Sequence, residues 1–363
     1  MKTSASDRYV LILGGAGFIG SNWASQLLET TDAKVHIFDN LSRCGVQHNL
    51  HQLESLWGGS GRLQFTCADV RDAAAVERAV SPATEIYHFA AQVAVTTSMV
   101  DPRQDFEINL AGTFNVLEAA RSSGNRPLLL FTSTNKVYGE IVSRTLEKTQ
   151  SRYQYVGGGG ISESEPIDFH SPYGCSKGAA DQYVRDYARM FNIPAVVFRM
   201  SCIAGPRQFG NEDQGWVAHF LYSALRRVPL FVYGDGRQVR DVLCVHDLMR
   251  AFEAVRGHLT ECRGKIYNIG GGPRNTTSLI ELIDEVKRLT GHDTEYEVRP
   301  TRPGDQLVYV TDYGKMQRDT AWQPTMNVRQ TLDSIYDWWC CNRELFDAAI
   351  NQPPLSSALP VGA

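Results

Sequence analysis

Two residues of this 363-residue chain combine the types and spacing needed for acid–base chemistry: Tyr173 and Lys177, within Ser171-Pro172-Tyr173-Gly174-Cys175-Ser176-Lys177. Serine is a favoured helix N-cap and proline a favoured first helical residue, so the segment predicts a helix that starts at Pro172. Residues four apart share one helical face, which brings the phenol and the ammonium within reach of each other. An ammonium stabilises a phenolate and lowers the phenol's pKa, making Tyr173 a candidate general base. Taken alone, so short a pattern fits an amphipathic helix start, with a packed tyrosine and a solvated lysine, better than a catalytic pair. The elements around it decide.

Those elements alternate between apolar strands and helices. Tyr9 to Leu13 reads as a parallel strand buried on both faces. It enters Gly14-Gly15-Ala16-Gly17-Phe18-Ile19-Gly20, followed by a helix from Ser21 to Glu29. Gly14, Gly17 and Gly20 have the spacing of a dinucleotide turn, which needs a tight bend, close approach to a pyrophosphate and close helix–strand packing. The next strand, Lys34 to Phe38, ends at Asp39, whose carboxylate would bond an adenosine ribose and repel a 2′-phosphate. NAD is therefore favoured over NADP, with Arg43 keeping NADP open. Phe18, Ile19, Asn40, Ser42 and Arg43 join the glycines and Asp39 as cofactor-binding candidates.

The strand Leu63 to Cys67 leads to Asp69-Val70, placed either to meet the adenine edge or, through Asp69, to cap the helix from Asp72. Glu85 to Phe89 ends in Ala90-Ala91-Gln92, small residues that let the chain run close to a cofactor. A long helix is expected from Asp101-Pro102 to about Ser122, then a strand from Leu128 to Phe131, with Thr134 just past its end. The helix from Pro172 runs to about Phe191 and is followed by a strand from Ala195 to Met200. Such repeats imply right-handed crossovers and an α/β, doubly wound parallel sheet that binds ligands at the carboxyl ends of its strands. Thr134 and Tyr173 both fall at such ends.

Residues 1–200 thus form a dinucleotide-binding Rossmann domain, interrupted at 140–170 by an excursion holding Gly157 to Gly160. A loop of that length is either a lid or binding loop or a mobile decoration. Residues 201–350 are mainly a smaller interleaved α/β lobe, with segments near 235–270 returning to the main sheet and a last helix from Arg329 to about Phe346. The Pro- and Ala-rich stretch 351–363 is expected to fray.

With a net charge of −4 and no run of Lys or Arg, the chain is not a nucleic-acid binder. It has no apolar run of membrane-spanning length and a polar first segment, which reads as cytoplasmic with no membrane association. Its eight cysteines show neither ligand spacing nor a disulfide framework, and His88, His170, His219 and His246 are assigned to capping or packing. No metal is expected.

Thr132-Ser133-Thr134-Asn135-Lys136-Val137-Tyr138-Gly139, with the glycine turn, Tyr173 and Lys177, resembles the extended short-chain dehydrogenase/reductase family of nucleotide-sugar epimerases and dehydratases. The resemblance runs from Val10 to about Trp339, with one departure: the family often has Thr where Leu13 stands. It implies that Thr134 bonds the reacting sugar hydroxyl, Tyr173 is the base, and Lys177 also binds the nicotinamide ribose of NAD. It also implies a homodimer, or a tetramer, built on the helices around Asp105 to Ala120 and Tyr173 to Arg189. Dehydratases of the family carry Asp-Glu after the threonine, because eliminating water needs an acid for the leaving hydroxyl and a base for the carbon proton. Here the pair is Asn135-Lys136, which disfavours dehydration; the two either hold the sugar or are structural residues at a strand end.

Asp168 to Gln182, Asp39 to Arg43, Arg207-Gln208-Phe209 and Asp213 to Trp216 are similar to the CDP-paratose 2-epimerase (CDP-tyvelose epimerase) subgroup. This implies epimerisation at C2 of a CDP-hexose, of CDP-paratose/CDP-tyvelose or CDP-glucose type, by transient oxidation: the keto sugar turns over and takes hydride back on its other face. The alternative is a UDP- or dTDP-hexose 4-epimerase with the same triad; a net reductase and a non-catalytic NAD-binding regulator are less favoured. Arg240 and Arg302 match family arginines that bind the diphosphate, a role suited to a guanidinium fork. Arg207, Gln208 and Gln214 are further substrate candidates.

Overall fold

The computed structural model describes residues 8–302 and 304–349. The tail at 351–363, Pro303 within the Arg302 to Asp305 segment, and the first seven residues lie outside them. Seven parallel strands form the main sheet: β1 (Tyr9–Leu13), β2 (Lys34–Asp39), β3 (Leu63–Cys67), β4 (Glu85–His88), β5 (Leu128–Thr134), β6 (Ala195–Met200) and β7 (Ile266–Ile269). Their order is β7-β6-β5-β4-β1-β2-β3, so the chain reverses its winding between β1 and β4. That reversal opens the crevice in which doubly wound sheets bind ligands. The fold is the α/β, doubly wound class that the alternation predicts.

Strand periodicity divides the core. Val10 and Ile12 face a layer containing Trp23, Leu27 and Phe252, whereas Leu11 and Leu13 face Val76, Leu117 and Val184. Both faces are covered, which is why the strands read as continuous apolar runs. Three helices bear on the site: α1 (Phe18–Thr30); α2 (Pro102–Phe106), which passes through a π turn at Glu107–Ala111 into α3 (Gly112–Ser122); and α4 (Pro172–Met190).

A third core, including Leu221, Leu282 and Ile335, belongs to the smaller lobe. There Val239–Cys244 pairs in parallel with Cys202–Ala204 and Val308–Tyr309 and antiparallel with Thr276–Ser278. The expected last helix is two, Val328–Cys341 and Arg343–Ala349, separated by Asn342.

The excursion at 140–170 lies outside the cavities around Tyr173 and lines a separate cavity of about 260 Å³ together with residues of the lobe. It carries the hairpin Leu146–Lys148 and Tyr153–Tyr155 and is bonded along its length to the lobe and to β7. The Tyr155 hydroxyl donates to Val308 O at 2.8 Å, Arg152 Nε to Glu281 Oε1 at 2.7 Å, and Asn268 N to Glu163 Oε1 at 2.7 Å. It acts as a brace between the two parts of the molecule.

Candidate active site

The helix start at Ser171 forms as its residues dictate: Ser171 Oγ accepts from Gly174 N at 3.0 Å, and Pro172 takes the first turn. Tyr173 and Lys177 then enter the protein from one helical face, 8% and 3% exposed. Thr134, the last residue of β5, accepts from Lys136 N at 3.2 Å, donates to Asn135 Oδ1 at 3.4 Å and shares with Tyr173 the lining of two cavities.

The electrostatics differ from the simple expectation. Burial pushes the Tyr173 phenol up to about 12, opposed by the Thr134 hydroxyl. Burial also lowers the Lys177 ammonium to about 7, opposed by Asp105 and Asp181. Lys177 Nζ lies 4.2 Å from the centre of the Phe131 ring. Proximity to lysine does not by itself acidify the tyrosine, because removing both groups from water disfavours each charged form.

A cavity of about 290 Å³ extends from these residues to the glycine turn. Gly14 has φ +79°, and a methyl group there would stand 2.6 Å from Ala90 N; one on Gly20 would stand 2.3 Å from Gly14 O. A methyl on Gly17 would meet only Gly14 O, at 3.2 Å, and would otherwise occupy the cavity. Gly17 caps α1 with no side chain, and the first turn has no acidic residue, so its amides are left for an anion. Gly14→Ala is expected to cost roughly 1–3 kcal/mol from the left-handed backbone alone. A lower unfolding midpoint, together with loss of co-purifying dinucleotide, would show it.

At the far end Asp39 accepts from Ala16 N at 3.1 Å and Leu41 N at 2.9 Å. Asn40 Nδ2 donates to Asp69 Oδ2 at 2.8 Å, and Arg71 holds the Asp69 carboxyl down to about 2. Asp72, not Asp69, caps the following helix through Ala75 N, leaving Asp69 beside the cavity with Val70. Phe18, Ile19, Ser42, Arg43, Ala90 and Ala91 also line it. Gln92 does not: its Nε2 is bonded to Ala94 O at 2.8 Å and Asp105 Oδ1 at 2.7 Å, turning it into the protein.

Arg207 and Gln208 also fall elsewhere than expected, in this first cavity. Arg207 has φ +66° and reaches Ser25 Oγ at 3.3 Å on α1, while Gln208 donates to Ile203 O at 3.2 Å. A contributor that sequence reasoning missed is Asn49, whose Nδ2 bonds both Ala16 O and Arg207 O at 3.2 Å. It rides on a helix, Val46–Trp57, that the strand–helix alternation did not reveal.

A second cavity, of about 300 Å³, also reaches Tyr173 and is lined by three cations, Lys136, Arg240 and Arg302, and three carboxylates, Glu212, Asp213 and Asp305. Arg240 Nη2 donates to Asp305 Oδ1 at 2.7 Å. Lys136 Nζ donates to Gly304 O at 3.1 Å, its ammonium lowered to about 8 by burial and then by Arg240. Arg302 donates to Glu212 O at 2.8 Å and lies over the Tyr233 ring, 3.7 Å from its centre. Tyr233, Phe231 and Glu212 were not foreseen, since nothing in their local spacing points to a ligand. Val93, Thr134, Asn135, Tyr173, Ser201 and Gln214 line both cavities, and Gln214 accepts a hydrogen bond from Arg43. The arrangement is a glycine-lined cavity that meets a second cavity, lined by paired cations and carboxylates, at a buried phenol. Among the described residues no His, Cys, Asp and Glu cluster could hold a metal ion.

A family model described as GDP-mannose 4,6 dehydratase matches residues 11–335. The chain belongs to this family. Its members are extended short-chain dehydrogenase/reductase enzymes that epimerise or dehydrate nucleotide sugars. The chain is 41% identical to the CDP-paratose 2-epimerase of Salmonella typhi, over 91% of this chain and 98% of that one. Among solved structures it is similar to UDP-glucuronic acid 4-epimerase from Bacillus cereus, in complex with UDP-glucuronic acid and NAD, at TM-score 0.78 and 26% identity, covering 92% of this chain and 99% of that one. It is also similar to the dTDP-glucose 4,6-dehydratase DesIV from Streptomyces venezuelae, with NAD and TYD bound, at TM-score 0.79 and 28% identity, covering 93% and 98%.

The pair after Thr134 is Asn135-Lys136. Asn135 Nδ2 donates to Gln306 Oε1 at 2.9 Å, and an amide has no acidic proton to give a leaving hydroxyl. Beneath the pair, a buried network ties β5, α4, β6 and β7 together. Ser133 Oγ donates to Asp181 Oδ2 at 3.1 Å, Arg199 Nε to the same oxygen at 2.7 Å, Arg199 Nη1 to the Tyr138 hydroxyl at 3.1 Å, and that hydroxyl to Asn268 Oδ1 at 2.7 Å.

Proposed function

We propose that the protein is an NAD-dependent nucleotide-sugar epimerase that inverts C2 of a CDP-hexose. The observation that carries this reading is the buried phenol of Tyr173, standing where the glycine-lined cavity and the cavity of Arg240 and Arg302 meet. The 41% identity to a CDP-paratose 2-epimerase supports the nucleotide and the carbon. The family's NAD-bound structures support the cofactor, and the residues present fit it: the glycine turn would hold its pyrophosphate, Asp39 the adenosine ribose, Asp69 and Val70 the adenine, and Lys177 the nicotinamide ribose. When bound, NAD would supply the hydride acceptor and a positive charge.

Tyr173 takes the proton of the sugar hydroxyl, and Thr134, which lines the same cavities, orients that oxygen and relays the proton. Lys177 stabilises the phenolate as well as clamping the cofactor. Arg240 and Arg302 receive the diphosphate, exchanging their present carboxylate and carbonyl partners for phosphate oxygens. Asn135 and Lys136 hold the sugar in either of its two poses. We also propose a homodimer through α3 and α4, where Phe114, Tyr183, Met190 and Phe191 expose 42%, 45%, 70% and 46% of their surfaces. Cytoplasmic residence fits the eight free thiols.

The test is incubation of the purified protein with CDP- and UDP-hexoses in deuterium oxide, without added NAD, with NMR to locate the inverted carbon. Inversion at C2 with protium retained on that carbon is the expected result. Inversion at C4 alone would replace the proposal with a 4-epimerase, and stoichiometric NADH oxidation would indicate a reductase.

A further inference from the structure

We infer that Asp105 is a positioning residue for the reaction: a buried carboxylate that holds α4 through Ser176, the residue next to Lys177, and so sets a negative charge behind that lysine. The inference rests on the proposed function only in calling Lys177 part of the reaction machinery.

Asp105 lies on α2, outside the two cavities, and is fully buried. Its Oδ2 accepts from Ser176 Oγ at 2.5 Å, and its Oδ1 accepts from Gln92 Nε2 at 2.7 Å and Asn109 Nδ2 at 3.1 Å. All three partners can act as donors, which is the surrounding of an ionised carboxylate, an acceptor only. All three are also neutral, so no hydrogen-bond partner cancels the charge; burial raises the carboxyl, opposed by the Ser176 and Gln92 bonds and by Lys177. The π turn at Glu107–Ala111 places Asn109 so that its Nδ2 also meets Gln92 O at 3.0 Å and Ser176 Oγ at 3.1 Å. Such turns recur at functional sites because they redirect a side chain within an otherwise regular helix. Gln92 is thereby drawn from the cofactor cavity into support of this carboxylate.

The groups facing Lys177 leave this role to Asp105. Asp181, on the same helix, is bonded twice to Arg199, at 2.7 and 3.2 Å, so its charge is paired. His88 on β4 is buried with its basicity lowered to about 3, so it adds no positive charge. Phe131 offers the face of a ring. Tyr173 is neutral until it acts as base. Asp105 is the remaining anion, and it favours the charged lysine while opposing the phenolate.

The experiment follows the Lys177 ammonium by NMR in the full-length, NAD-loaded protein labelled at lysine Cε, with Lys177→Met assigning the signal. In Asp105→Asn the midpoint should move down by one pH unit or more. In Ser176→Ala, which cuts the link but keeps the charge, and in Asp105→Glu, it should stay within a few tenths. The alkaline limb of the turnover profile should move with the midpoint in Asp105→Asn, whereas a merely structural role would lower turnover at every pH and shift no limb. An unchanged Lys177 midpoint in Asp105→Asn would overturn the inference. If that variant does not fold, Asp105→Ser, with room for a water beside Ser176, makes the same comparison. A wild-type protein without turnover on any nucleotide sugar would count against the proposed function, while the lysine midpoint would still decide the role of Asp105.

Discussion

Tyr173→Phe should lower turnover by about 10²- to 10⁴-fold, the usual loss when a positioned general base is removed. The change deletes one oxygen from a side chain that is 8% exposed and leaves the ring to fill the same space. Thr134 keeps its bond from Lys136 N, the glycine turn is untouched, and Arg240 and Arg302 lie across the second cavity. Dinucleotide content and substrate affinity should therefore stay close to wild type while kcat falls. Steady-state kinetics, the unfolding midpoint and the cofactor released on denaturation would be compared for the two proteins. Turnover within tenfold of wild type would remove Tyr173 from its assigned role and shift attention to Lys136, whose ammonium is also made labile by burial.

The largest effect on stability is expected from Asp181→Ala. Arg199 is 4% exposed and bonded to both carboxylate oxygens, so the change strands a guanidinium in the core and takes an acceptor from Ser133. Breaking one side of a buried pair costs about 3–5 kcal/mol. Replacing both partners together, as Asp181→Leu with Arg199→Met, should recover most of that loss, because no lone charge remains. Denaturant unfolding of the two single variants and the double would measure it. A loss below about 1 kcal/mol in Asp181→Ala would mean that water reaches Arg199. Since β5 and α4 are joined through this network, turnover should fall in the single variants and return in part in the double.

The features that local spacing determines were legible in the sequence. β1, β3 and β6 run between the residues that their apolar stretches mark out, and Ser171 caps α4 because the cap needs only a hydroxyl three residues before an amide. What was not legible depends on partners far along the chain. Gln92 has the small neighbours of a cofactor loop, but Asn109 and Asp105 decide where it turns. Arg207 read as a substrate candidate of the smaller lobe, yet it has a left-handed backbone and reaches back to Ser25 on α1. The Tyr173–Lys177 spacing indicated neighbours on a helix, not the burial that dominates both protonation equilibria. The helix Val46–Trp57 escaped notice because His, Gln and Asn interrupt its apolar face, although one of those residues, Asn49, fastens the glycine turn to the lobe.

The shared wall of six residues carries a thermodynamic consequence. Where two ligands that touch the same side chains influence each other, linkage makes that influence equal in both directions. By whatever factor a nucleotide sugar on Asn135 and Gln214 tightens the hold on the dinucleotide behind them, the dinucleotide tightens the hold on the sugar. A ketone awaiting its hydride and the cofactor carrying that hydride would thus each guard the other against escape. A change at Gln214, which makes no bond in the chemistry, would be felt as leakage of both.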